Sequence, residues 1–206
     1  MYVKLNIQAA CMQEENAPVS NAARRAAMRE RLIAAARILF AEKGYAETST
    51  PEIVRAADVT RGALYHHFDG KEALFRAVAE AEAQAVTQAI EAAAQMPGGE
   101  GLEAGSRAFF GAMAVPGRAR ILLVDGPAVL GAAVMDGIDA GGGRGALRAG
   151  LAAAGTGLDA AALDALAVVL SAAFDRGALA IAEGAAAAPF EAAMAALMRA
   201  AIRPMP

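Results

Sequence analysis

The sequence is poor in reactive chemistry. It has one cysteine, Cys11, no tryptophan and two histidines in 206 residues. A single cysteine excludes an intrachain disulfide, and with no candidate partners nearby it reads as an inert thiol in a loose tail. The histidines are adjacent, His66 and His67. Neighbouring helix positions point about 100° apart, so the pair does not converge on one metal ion. No Cys–His or Ser–His pair stands in a setting suited to nucleophilic catalysis, no two carboxylates are singled out, and no cofactor is implied. The first residues lack the basic start of a signal peptide, and no strongly apolar run of about 18 residues escapes a charge or a Gly/Pro break. A cytoplasmic protein without a membrane span is expected, although the mean hydropathy is +0.36.

Aromatics are also scarce, at 5%, while apolar residues make up 57%, much of it alanine. Alanine is the best helix former and is disfavoured in strands, so the composition predicts an all-α protein. The net charge is −3, but it is unevenly spread. Asn21–Arg76 holds ten Lys/Arg against seven Asp/Glu, and the chain beyond Glu80 holds eight against twelve. A small basic module on an acidic body suits nucleic-acid binding without establishing it.

Residues 1–20 read as a disordered tail. A first helix runs from about Asn21 to Lys43, with Leu32, Ala36, Leu39 and Phe40 on one stripe, and Gly44 stops it. Thr50 is the expected cap of a short helix, with Pro51 in its first turn and Glu52 at its positive end. Asp58-Val59 makes a turn, and Thr60 caps a second short helix, Arg61 to His67. Asp69 and Glu72 read as a capping box for a long helix reaching about Gln95. Further helices are expected near Leu102–Met113, Arg118–Val124, Pro127–Ile138, Gly145–Ala154, Asp159–Glu183 and Pro189–Ile202. Gly141–Gly145, G-G-G-R-G, reads as a flexible loop, since no strand precedes it and no Lys-Ser/Thr follows it. Asp159–Glu183 is apolar nearly all round, so one face must pack inside the subunit and the other against a second subunit.

Two short helices joined by a tight turn and braced by a longer one describe a helix-turn-helix. Its second helix would offer Thr60, Arg61, Gly62, Tyr65 and His66 to a duplex, with Leu64 and Phe68 facing inward and His67 partly structural. Thr50 and Lys71, at neighbouring helix starts, would add amides and a charge for phosphate. Residues Gly44-Tyr45, Thr48, Ile53, Val59-Thr60, Gly62, Leu64-Tyr65, His67-Phe68, Lys71-Glu72 and Leu74 resemble the DNA-binding segment of the tetracycline-repressor (TetR-like) family. Asp58 departs from it, standing where many relatives have glycine; aspartate tolerates a left-handed backbone better than most residues.

The resemblance implies a homodimeric all-α regulator of double-stranded DNA, most simply a repressor. A helix-turn-helix module over 21–70 would precede a helical effector-binding and dimerisation body over 71–206, with the last two long helices forming the dimer interface. Arg118–Gly131 resembles an element of one subgroup's effector domain without naming a ligand. Candidates for lining an effector pocket are Phe109, Phe110, Met113, Leu122, Asp125, Met135, Phe174 and Arg176, and their composition points to an apolar compound. Asp125 also reads as part of a capped helix break at Gly126-Pro127, and Asp175 with Arg176 as a structural salt bridge. The rival readings are a helical enzyme and an adaptor that kept the fold without binding DNA; a steep loss of DNA affinity with added salt separates the regulator from both.

Overall fold

The computed structural model describes residues 20–96 and 98–202, so the expectations for the N-terminal tail and Cys11 lie outside the described residues. Within them the chain is all-α, with no strand. Helix α1 (Asn21–Lys43) starts at Ser20, whose hydroxyl accepts the amide of Ala23 at 3.1 Å. It buries Leu32, Ala36 and Phe40 at the expected spacing. Gly44 ends it with φ +83°, and a Cβ there would stand 1.9 Å from the Arg120 guanidinium. The positive φ favours glycine at this corner, whereas the close atom is the end of a flexible Arg120 side chain that can move aside.

Short helices α2 (Thr50–Ala56) and α3 (Arg61–His67) follow, then the long α4 (Lys71–Ala93). One apolar cluster joins all four: Leu32 and Phe40 from α1, Ile53 from α2, Leu64 from α3, and Leu74, Phe75 and Val78 from α4. Phe40, Tyr45 and Phe75 meet as an aromatic triangle with centroids 5.1–5.8 Å apart. The cluster continues into the body through Met113, Ile121 and Leu122.

The body comprises α5 (Gly98–Met113), α6 (Arg118–Arg120), a π-helical turn (Ile121–Asp125), α7 (Gly126–Leu130), α8 (Ala132–Gly141), α9 (Gly143–Ala153), α10 (Ala160–Ala182) and α11 (Ala187–Ala201). A second core gathers Leu102, Phe110, Leu151, Leu163, Leu170, Phe174, Met194 and Met198. The sequence predicts a break at Gly126-Pro127, yet the chain stays helical there. Pro127 has no N–H to donate, and the backbone widens into a π turn whose Gly126 amide reaches Ile121 O. A Cβ on Gly126 would lie 2.9 Å from that carbonyl and from Met135. The break falls instead at Gly131, φ +85°. Gly141–Gly145 is not a loop either. It is the α8–α9 joint, held by Arg144, whose amide donates to Asp139 at 3.2 Å and whose guanidinium reaches Asp136 at 2.6 Å.

α10 is long and apolar enough to cross a membrane by length and composition, but Asp164, Asp175, Arg176 and Gly177 interrupt it, as the sequence reading requires. One face buries Leu163, Ala167, Leu170, Phe174 and Ala178, while Val168 and Val169 stand exposed, as does Leu197 of α11. Asp159 caps it, accepting the Ala162 amide at 2.8 Å.

A buried ion network ties α1 to the body. Glu82 of α4 accepts from Arg118 Nε at 2.8 Å and from Arg37 at 3.3 Å. Arg37 also donates to Pro116 O, and Arg118 to Ala112 O. Burial pushes the Glu82 carboxyl up, but the hydrogen bonds from Arg118 and Arg37 outweigh it and hold it below its ordinary value. Removing one partner of such a network leaves charges uncompensated, so Glu82→Gln is expected to cost about 3 kcal/mol in urea unfolding at pH 7. A depressed carboxylate stabilises the fold above its unfolded pKa and loses that contribution as pH falls through the folded one. The gap between wild type and variant should therefore close on acidification below 4.5; a gap independent of pH would contradict the assignment.

Candidate nucleic-acid interface

The α2–α3 unit is built by caps and one tight turn. Ser49, not Thr50, caps α2: its hydroxyl accepts from the Glu52 amide, and the Glu52 carboxylate accepts from the Ser49 amide at 2.9 Å. Thr50 is displaced to the first helical position, half-buried. Lys43 pairs with Glu52 at 2.6 Å, and these hydrogen bonds, that of Lys43 foremost, lower its carboxyl to about 2. Thr48, fully buried, donates to Gly44 O at 2.7 Å, closing the corner after α1. The turn into α3 runs through Asp58 at φ +51°, the left-handed conformation expected for this position. Arg31 of α1 holds that turn by donating to Ala57 O at 2.8 Å and Asp58 O at 3.1 Å.

Thr60 then caps α3, accepting the Ala63 amide at 3.1 Å. Leu64 is fully buried and Phe68 nearly so, which fixes the helix's inner side. Thr60, Arg61, Gly62, Tyr65 and His66 are exposed together on the outside. The Arg61 guanidinium rests over the Tyr65 ring at 5.5 Å, a cation–π contact. Gly62 has ordinary helical backbone, and a Cβ there would meet only Thr60 Oγ1 at 3.9 Å. The fold itself has no need of glycine here. His67 is half-buried against this face. Burial above all, then the charges of His66, Arg25 and Arg29, lower its pKa below the usual value of 6.5.

Lys71 behaves differently from the expectation. Its ammonium turns inward, donating to Tyr45 O at 2.8 Å and Thr48 O at 2.9 Å, and it lies 4.0 Å from the Tyr45 ring centroid. It straps the start of α4 to the α1–α2 corner and has little left for phosphate. The capping box expected of Asp69 and Glu72 is also absent. Gly70, φ +104°, occupies the cap position of α4, with no side-chain hydrogen bond.

Residues 32–78 match the model of bacterial regulatory proteins of the tetR family, and residues 99–204 match the tetracycline repressor-like C-terminal domain. A solved tetR-family transcriptional regulator from Pectobacterium atrosepticum is 30% identical, with a TM-score of 0.67 over 88% of this chain and 94% of that one. The chain belongs to the TetR family. That is a family of regulators, not of enzymes. A tetR-family regulator from Streptomyces coelicolor shares the fold at 23% identity, with a TM-score of 0.69 over 85% of this chain and 80% of that one. Among curated relatives, the Escherichia coli transposon Tn10 TetC protein is 54% identical over 46 residues, 22% of this chain and 23% of its own. The transcriptional regulator AcrR of Shigella flexneri is 39% identical over 71 residues, 34% of this chain and 33% of its own. The match thus spans a quarter to a third of these curated relatives.

The body of this TetR-family chain contains a half-open cavity of about 400 Å³ between α4, α5, the π turn, α8, α9 and α10. Phe109, Met113, Leu122 and Met135 line it as expected. Phe109 and Phe174 line a smaller adjoining space of about 140 Å³. Phe110 packs in the second core and borders a separate cavity beside α6. Two expectations fail. Asp125 is not in the 400 Å³ cavity; it accepts the Tyr45 amide at 3.0 Å and pairs with Arg120 at 3.5 Å, so the end of the π turn is fixed to the α1–α2 corner. Arg176 is exposed and does not line that cavity, and the Asp175–Arg176 bridge does not form, because consecutive helix positions diverge. Asp175 lines the cavity instead, with Asp136, Asp139 and Arg144.

Asp58 offers a clean test of the turn. Its carboxylate, fully exposed, is 3.5 Å from Arg31, while the stronger Arg31 hydrogen bonds go to backbone carbonyls. Asp58→Gly removes the cost of a side chain at positive φ and keeps those bonds, so it should raise unfolding stability by about 1 kcal/mol. A loss of stability would mean that the side chain, not the backbone geometry, holds the turn.

Proposed function

We propose that this TetR-family chain is a transcriptional regulator that binds double-stranded DNA as a homodimer and is released by a small effector. The observation that carries the reading is the outer side of α3. Thr60, Arg61, Gly62, Tyr65 and His66 are exposed together, while the neighbouring cations Arg31, Arg37 and Lys71 are spent on internal carbonyls and a carboxylate. A helix start with open amides and positive dipole suits phosphate, and α3 is sized for a major groove. A glycine that the fold does not require fits close approach by a duplex.

In this reading residues 21–70 form the DNA-contacting module and 71–206 the body, with α4 serving both. Exposed Val168 and Val169 of α10 and Leu197 of α11 supply the surface that a second copy would cover. The dimer places two α3 helices in successive major grooves, so the operator is a near-palindrome with half-sites about 34 Å apart. The 400 Å³ cavity is of the size used for small ligands, and its contact with the π turn links it to the Asp125–Tyr45 hydrogen bond. An effector that favours one arrangement of these elements lowers DNA affinity, with a coupling typically of about 1–3 kcal/mol. The setting is cytoplasmic, and the default outcome of operator binding is repression.

Selection of bound duplexes from random DNA by the full chain should enrich one inverted repeat; enrichment of no sequence would overturn the reading. On that site the residue roles separate. Arg61 suits guanine O6 and N7, so Arg61→Ala should relax selectivity at particular base pairs by about 1–3 kcal/mol. Tyr65→Phe should weaken operator and random duplex alike. Equal losses on both DNAs for both variants would contradict this division. Gly62→Ala should leave the fold as stable or up to about 1 kcal/mol more stable, yet weaken operator binding; unchanged affinity would show that no ligand backbone approaches there.

A further inference from the structure

The cavity in the body is apolar along most of its wall, with Phe109, Met113, Leu122, Met135 and Leu179 among its lining residues. One side departs from this. Three carboxylates, Asp136 and Asp139 of α8 and Asp175 of α10, border it with a single cation, Arg144 of α9. Arg144 is already divided. Its guanidinium takes Asp136 at 2.6 Å and lies 3.7 Å from Asp139. Asp139 also accepts from the Ser171 hydroxyl at 3.0 Å and the Arg144 amide at 3.2 Å. Asp175 has no such partner among the described residues, neither a hydrogen bond nor an ion pair. Burial above all, and then the Asp139 charge, push its carboxyl up to about 7, against the weaker pull of Arg144. A half-buried carboxylate with no directly paired cation is costly to hold charged, and a cation in the cavity beside it relieves the cost.

We propose that this cavity takes an organic cation, an ammonium carried on an apolar body, with Asp175 as the charge partner of the ammonium. The apolar body lies against Phe109, Met113, Leu122 and Met135. The nearby Asp136 and Asp139 are tied to Arg144 and set the sign of the local field without competing for the same cation. The assignment rests on the effector reading above and narrows it from an apolar compound to a charged one.

The test is calorimetric titration of the full chain at pH 8 with four matched probes: 4-phenylbutylamine, its N-trimethyl quaternary analogue, 4-phenylbutan-1-ol and 4-phenylbutanoate. Both cations should bind at least about tenfold more tightly than the alcohol, and the carboxylate should not bind. The quaternary probe has no proton to lose, so its affinity should fall as pH drops through about 7, where Asp175 takes up a proton. Asp175→Asn removes an unpaired charge and should fold at least as well as wild type, by circular dichroism. It should bring both cations to the alcohol's affinity, leave the alcohol unchanged and abolish the pH dependence. Alcohol or carboxylate binding as tightly as the cations, a cation preference surviving in Asp175→Asn, or no binding by any probe would overturn the proposal. Release of operator DNA is read separately. A cation that binds in this way without releasing DNA defeats the effector reading and leaves the cation site standing; release by the alcohol without cation preference does the reverse.

Discussion

Glu82 joins the two ends of the molecule by charge, beside the apolar cluster that runs from Phe40 to Ile121 and the Tyr45–Asp125 hydrogen bond. Its carboxylate, nearly buried in α4, meets Arg37 from α1 and Arg118 from α6. Neither guanidinium would be tolerated there alone, and neither would the carboxylate. The three together fix the direction of α1 over α4, and α1 in turn carries the short helices through Leu32, Phe40 and the Arg31 clamp. Where α3 points relative to the body follows from this joint.

A second consequence is an economy of positive charge. Asn21–Arg76 holds ten Lys/Arg against seven Asp/Glu, but many of these groups are committed to partners within the fold. Arg31 closes a turn, Arg37 and Arg118 hold Glu82, Lys43 holds Glu52, and Lys71 spans two carbonyls and an aromatic ring. Arg61 remains outside, resting on Tyr65, and Arg29 lies over the Phe68 ring at the end of α3. The binding face is thus what the framework leaves over.

Much of this was legible in the sequence because it is local. The Leu32–Phe40 stripe, the Thr60 cap, the inward Leu64 and Phe68, and the left-handed Asp58 all follow from periodicity and backbone preference within a few residues. What was not legible depends on partners distant in the chain. Lys71 reads as a free charge beside a helix start until the carbonyls of Tyr45 and Thr48 are seen to converge on it. Asp125 reads as a cap at Gly-Pro, whereas a π turn carries it to the Tyr45 amide, 80 positions away. The α8–α9 joint reads as a glycine loop because nothing local reveals that Arg144 bridges two aspartates. Thr50 reads as the cap of α2 because Pro51 follows it, but the Ser49–Glu52 spacing is itself a local signal for the capping box that forms. Asp175 reads first as the salt-bridge partner of Arg176, with a pocket or dimer interface as alternatives, and the surrounding helices place it on a cavity.

The proposed function stands or falls on the exposed side of α3 and the cations around it meeting a DNA duplex. The most direct measurement is the affinity of the full chain for a selected duplex as a function of salt concentration. Counterion release predicts a linear fall of log K with log salt, with a slope steeper than about −4 for a dimer making several phosphate contacts. A slope near zero, or no duplex binding at low ionic strength, would contradict the account.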